Sequence, residues 1–156
     1  MRTLSGPAFE TTILVRDTCL CLHAQRAARA IARRFDIVLK PAGITSGQFS
    51  LLMSLNRPQP PNLSSVAALL AMDRTTLTAN LKPLERRRLV ETMADPKDRR
   101  ARLLRLKPNG RAVLAVAVPI WRHLHAEIEK ELSDPDHLRT ELNIFSKFDN
   151  RGSVAG

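Results

Sequence analysis

The chain has 156 residues, 25 of them Lys or Arg and 15 Asp or Glu, for a formal net charge of +10. That length suits one domain or one subunit of a modest oligomer and leaves no room for two independent enzymatic domains. Hydrophobic residues at 44% and charged residues at 26% are the proportions of a folded globular chain, too apolar for a disordered one, and the positive excess favours a polyanion or an anionic surface as partner.

The charge is unevenly distributed. Residues 1–72 carry 8 basic and 3 acidic groups, residues 73–111 carry 12 and 5, and residues 112–156 carry 5 and 7. The middle quarter is therefore the electrostatic face, while the C-terminal third suits packing or self-association. Apolar stretches such as Ala112 to Ile120 are far shorter than the roughly 20 residues of a membrane span. No apolar segment with a cleavage site follows Arg2, so no membrane partner and a cytoplasmic location are expected.

In chain order, Leu20, Ala24, Ala27, Ile31, Phe35 and Val38 recur at helical spacing and predict one long amphipathic helix from Thr12 to Leu39. On such a helix Cys19 and Cys21 point roughly 200° apart, so an internal disulfide is disfavoured and reduced thiols are expected. Pro41-Ala42-Gly43 ends this helix, and Thr45 or Ser46 caps a second one through Phe49, Leu52 and Leu55. A stiff proline linker from Arg57 to Asn62 leads to a short helix, Ser65 to Met72. Asp73 then caps a further helix to about Arg88, with Leu77, Leu81 and Leu84 inward and Arg74, Thr75, Thr76, Thr78, Asn80 and Lys82 outward; Pro83 should kink or loosen it.

Leu89 to Met93 and Arg102 to Leu106 read as two strands around a charged turn, Ala94 to Arg100, giving a hairpin with a basic tip. After Pro108-Asn109-Gly110 comes a long helix through Val113, Val116, Ile120, Leu124 and Ile128, bent at Pro119. Leu138, Leu142, Ile144, Phe145 and Phe148 mark a last helix, and Arg151 to Gly156 should fray. The fold class is mainly α with a small β-hairpin, and a helix-turn-helix followed at once by a basic hairpin is the order of a winged helix.

The run Asp95-Pro96-Lys97-Asp98-Arg99-Arg100, followed by Leu104, Leu106 and Gly110, sits after Asp73-Arg74-Thr75-Thr76-Leu77-Thr78 and Leu84-Glu85-Arg86-Arg87. In these motifs, and from about Asp17 to Phe148, the sequence resembles the MarR family of bacterial transcriptional regulators. The resemblance implies a homodimer whose first and last helices interlock, with residues 12–44 and 111–150 as the dimerisation region and 45–110 as a winged helix-turn-helix domain. It further implies a roughly palindromic double-stranded DNA site, with recognition helices in major grooves and wing arginines in flanking minor grooves.

On that reading Arg74 and Thr75 reach base edges, Thr76 and Thr78 donate to phosphates, and Lys82 adds charge. Arg100 enters the minor groove, where negative potential is concentrated. Asp98 orients an arginine at the base of the wing, and Arg99, Arg102 and Arg105 add phosphate contacts, though residues of one strand cannot all face the same way. Two departures from the family pattern matter: Arg88 stands where Gly is common, so a left-handed helix end there is strained or absent, and Lys107 replaces a capping Thr.

Two inputs are conceivable for such a regulator. Leu20-Cys21-Leu22 resembles the segment of organic-hydroperoxide regulators that holds a reactive cysteine, although the tyrosines that serve it align here with Gln25 and Phe35 and the chain has no tyrosine. Asp17 would oppose a thiolate at Cys21 while His23 or Arg26 would favour one; the alternative is an inert buried thiol. The other input is a small aromatic or anionic effector near His23, Arg26, Phe49 and Met53, with core packing the favoured role of the last two.

Competing functions are a non-sequence-specific architectural nucleic-acid-binding protein and a thiol enzyme built on Cys21. Four percent aromatic content argues against stacking on single strands. His123 and His125, two apart on a helix, face different ways, and neither a phosphate loop nor a nucleophile elbow is present, so no catalytic residue, metal or cofactor is expected.

Overall fold

The computed structural model describes residues 6–147. Phe148, the end of the expected 111–150 region and the tail Arg151 to Gly156 lie outside the described residues. In chain order the elements are α1 (Phe9–Thr18), α2 (Leu20–Val38), a 3-10 turn (Lys40–Ala42), α3 (Ser46–Ser54), α4 (Leu63–Leu69), α5 (Arg74–Arg86), β1 (Val90–Ala94), β2 (Arg102–Leu106), α6 (Pro108–Lys130) and α7 (Pro135–Ser146). The architecture is the expected mainly α fold with a two-stranded antiparallel hairpin, registered Val90 to Leu106 and Ala94 to Arg102.

The single long helix predicted from Thr12 to Leu39 is instead two helices broken at Cys19, whose ψ of 107° is extended. Cys19 serves as N-cap of α2, its sulfur accepting from the Leu22 amide at 3.5 Å, while the Thr18 hydroxyl turns back onto the Leu14 carbonyl at 2.7 Å. The premise that both cysteines ride one regular helix therefore fails, although both are free thiols.

Capping residues set the other helix starts. Thr45 and Gln48 form a reciprocal capping box on α3. Asn62 caps α4, accepting from the Ser65 amide at 2.8 Å, so that helix starts at Leu63, two residues earlier than predicted. It also ends earlier, because Ala71 turns left-handed at φ 50° and Met72 N–H reaches the Ala67 carbonyl at 2.9 Å. The same closure ends α5: Arg88 has φ 57°, Leu89 N–H donates to Leu84 O at 2.9 Å, and Arg88 N–H to Glu85 O at 2.8 Å. The left-handed terminus is thus present without its glycine, and strained. Lys107 gives α6 no side-chain cap. Pro83 and Pro119, expected to bend α5 and α6, both lie inside unbroken helical spans.

The core is one cluster between Leu39 and Ala117, with Leu51, Leu52, Leu77, Leu84 and Leu104 at its centre. It joins α3, α4, α5, the hairpin and the first half of α6. Gly110 makes the last junction possible, since a Cβ there would overlap the Leu89 carbonyl oxygen and come within 2.6 Å of Leu106 Cδ1. By contrast α1, α2 and α7 contain no buried residue, and Phe9, Leu14, Leu20, Leu138, Leu142 and Phe145 are exposed. No helix among the described residues is long and apolar enough to cross a membrane.

Arg88→Gly removes the left-handed strain and should raise the urea midpoint, by about 1 kcal/mol of stability. Gly110→Ala should lower it by about 1–3 kcal/mol, as α6 is forced off the hairpin base. An unchanged midpoint for both would contradict this account of the helix ends.

Candidate nucleic-acid interface

The recognition element is built from α4, a tight turn and α5. Leu77, Leu81 and Leu84, all at 2% exposure or less, anchor α5 to the core and turn Arg74, Thr75, Thr78 and Lys82 to solvent. Asp73 fixes its first turn, accepting from the Thr76 amide at 2.7 Å and the Thr76 hydroxyl at 2.8 Å. Those bonds, the amide one foremost, hold the Asp73 carboxyl below the ordinary carboxylate range. The Thr78 hydroxyl donates to the Arg74 carbonyl at 2.8 Å. Both threonine hydroxyl protons are therefore used inside the helix, so Thr76 and Thr78 present lone pairs outward and reach a phosphate as donors only by breaking an internal bond.

Side-chain bonds that no sequence signal singled out tie α5 to its surroundings and α3 to α2. Arg87 Nη1 donates to Gly43 O at 2.9 Å, the Thr92 hydroxyl to Glu85 Oε1 at 2.6 Å, and the Ser46 amide to Asp36 Oδ1 at 2.6 Å. In Arg86-Arg87-Arg88 the sequence shows three equal charges; only the fold distinguishes the one that braces the 3-10 turn.

The wing turn is shaped by two aspartates. Asp95 Oδ1 accepts from Lys97 N and Asp98 Oδ1 from Arg100 N, each at 2.9 Å. Asp98 thus meets Arg100 at its main-chain amide, where an arginine side chain was expected. The Arg102 guanidinium folds onto the Arg99 and Ala101 carbonyls at 3.3 and 3.4 Å, and Arg105 pairs with Glu91 at 3.1 Å, so these two brace the hairpin. Arg74, Lys82, Arg99 and Arg100 are exposed and have no ion pair among the described residues.

The four expected effector residues do not converge. His23 and Arg26 border an open groove on α2 beside Arg29 and Arg33, Met53 borders a different depression near Arg111 and Leu114, and only Phe49 lines the cavity between α2, α3 and α6. That cavity, about 370 Å³, is walled by Ile31, Phe35, Leu39, Phe49, Ser50 and Trp121, with no charged residue. Phe49 and Trp121 stack at 6.0 Å between centroids, and Trp121 and His125 at 4.7 Å. Cys21 is exposed, and its sulfur accepts from Gln25 Nε2 at 3.4 Å. Asp17 is engaged by Arg16 at 2.6 and 2.9 Å.

A buried helix-turn-helix with a free cationic helix start, followed by a hairpin with a cationic tip, defines a winged helix-turn-helix protein of the transcription-regulator class. The MarR family model matches residues 44–101, the stretch from the start of α3 to the end of the wing turn. The M. tuberculosis transcriptional regulator MosR, solved in complex with DNA, is 34% identical, with 88% of this chain covering 100% of that one at a TM-score of 0.80. The repressor CouR bound to a 23-mer DNA duplex is 28% identical, covering 86% of this chain and 95% of that one at 0.69. The transcriptional activatory protein BadR of Rhodopseudomonas palustris is 33% identical over 112 residues, 69% of this chain and 64% of that protein. The chain belongs to the MarR family, and these relatives are transcriptional regulators, not enzymes.

Because the Asp73 pKa is lowered by folding, its stabilisation is present above the unfolded value and is lost as pH falls through the lower folded one. Asp73→Ala should therefore melt earlier than the parent at neutral pH, and the gap should close in strong acid. A gap independent of pH would contradict the capping role.

Proposed function

We propose that this protein is a cytoplasmic homodimeric regulator that binds a pseudo-palindromic double-stranded DNA operator sequence-specifically and represses from it. The observation that carries this reading is the set of exposed cations, Arg74 and Lys82 on α5 and Arg99 and Arg100 on the wing, which project together from the helix-turn-helix and its hairpin with no carboxylate partner among the described residues. Such groups exchange counterions for phosphate. Arg74, with Thr75, reads base edges at the start of α5; Arg100 enters the minor groove; Lys82 and Arg99 contact phosphate. Thr76 and Thr78 shape the helix start that meets the backbone, and Asp98 and Arg102 hold the wing in form.

The exposed apolar residues of α1, α2 and α7 support a division into a dimerisation region, 12–44 with 111–150, and a DNA-binding domain, 45–110. Two copies crossing these helices would cover that surface and set the spacing of the two α5 helices. Repression is the mode named for CouR, and activation that named for BadR.

Release has two routes. A planar aromatic effector, uncharged at its buried end, suits the Phe35, Phe49 and Trp121 cavity, whose volume is of small-ligand size; an anionic group would instead meet His23 and Arg26 on the open groove. Oxidation of exposed Cys21 is the second route, with Gln25 as hydrogen-bond donor to its sulfur.

The test is competition between the duplex upstream of the protein's own gene and a scrambled duplex at physiological salt, repeated with an organic hydroperoxide and then a thiol reductant. Preference for the upstream duplex is expected, and peroxide release restored by reductant would select the Cys21 route. Arg100→Ala should lower the salt slope by about 1, whereas Arg74→Ala should relax preference at particular bases by about 1–3 kcal/mol. Equal affinity for both duplexes would replace this reading with an architectural one.

A further inference from the structure

A second group of cations surrounds a concavity at the root of the wing, away from its tip. A depression of about 290 Å³ is bounded by Leu55, Arg57, Pro58, Pro60, Arg105 and Arg111. The three guanidinium groups come from three separate places in the fold: the linker after α3, the strand β2 and the first turn of α6. Acid is scarce around them. Glu91 takes both Arg105 at 3.1 Å and Lys107 at 3.5 Å, and among the described residues the Arg111 guanidinium donates only to the Leu106 carbonyl, at 3.2 Å. The Arg57 side chain has no hydrogen bond or ion pair among the described residues, its main-chain amide alone donating to the Leu55 carbonyl at 2.9 Å.

The frame that carries these arginines is rigid. Three prolines, Pro58, Pro60 and Pro61, stiffen the linker, and the Leu104 amide pins it to β2 through the Pro61 carbonyl at 2.9 Å. The Lys107 amide pins the start of α6 to the Leu89 carbonyl at 2.9 Å. Like charges held around one depression repel until an anion joins them, and planar guanidinium forks bind oxyanions bidentately. Arg105 lies three residues along β2 from Arg102, about 10 Å further from the wing turn, which sets this cluster back from a duplex held at the tip.

We propose that Arg57, Arg105 and Arg111 form a binding site for a free, small polyvalent oxyanion of the pyrophosphate class, one per chain and separate from the DNA-facing surface. The site goes beyond the regulator reading and does not require it.

Calorimetric titration of the full chain with inorganic pyrophosphate, without DNA and at constant ionic strength, tests it. Saturable binding at one per chain is expected, retained by Arg74→Ala/Arg100→Ala and weakened by about tenfold or more in Arg57→Ala/Arg111→Ala. Arg57→Ala alone, whose side chain makes no internal bond, gives the same comparison if the double variant folds poorly. Absence of saturable binding, or undiminished binding in Arg57→Ala, would overturn the proposal. In a parallel arm the salt slope of DNA binding by Arg57→Ala should match the parent. A slope lower by about 1 would assign Arg57 to DNA phosphate and likewise overturn the separate site.

Discussion

A closed leucine-rich core between Leu39 and Ala117 holds the helix-turn-helix, the hairpin and the start of α6 as one piece, and of α1, α2 and α7 only the end of α2, through Phe35 and Val38, packs against it. That asymmetry governs the molecule. Leu77, Leu81 and Leu84 are committed inward, so the opposite face of α5 is free to carry cations and hydroxyls. Leu104 and Leu106 commit one face of β2 in the same way and leave Arg105 on the other face, and the wing turn, exposed. Phe9 on α1, Leu20 at the start of α2 and Leu138 on α7 lie exposed outside that core. A second copy of the chain is the cover the account assigns them.

Around that core, short polar bonds set the reading surface. Asp73 fixes the first turn of α5, Arg87 braces its last turn against Gly43, and Asp98 curls the wing by holding the Arg100 amide. The 3-10 turn grasped by Arg87 also lies between α2 and α3, two of the three helices around the apolar cavity. A ligand that moved α2 against α3 would therefore act on the same turn that steadies α5, through packed groups with discrete positions.

Much of the fold was legible in the sequence because its signals are local and reinforce one another. Asp73 before Leu77, Leu81 and Leu84 declares a capped amphipathic helix, and two alternating segments around Asp95-Pro96 declare a hairpin. The break at Cys19 was not legible, since the apolar period continues across it and a sulfur cap has no strong sequence signature. The Asn62 cap was not legible, since Ser64 and Ser65 beside it are equally good capping types, and only the path of the linker selects among them. The left-handed Arg88 shows the fold overriding a residue that opposes it. At the site, residue types pointed to the cationic surface, but not to the internal bonds of Thr76, Thr78 and Arg102, which depend on side-chain directions within single turns. The effector residues were the least legible: His23 and Arg26 share α2 with Phe35 but face roughly the opposite way from the cavity.

The central claim is that two chains, joined through their end helices, read one DNA site. Sedimentation velocity of the full chain at micromolar concentration, alone and with a duplex from upstream of its own gene, addresses it directly. The account predicts a dimer before DNA is added and two chains on each duplex at saturation. A monomer that binds the duplex singly would contradict it.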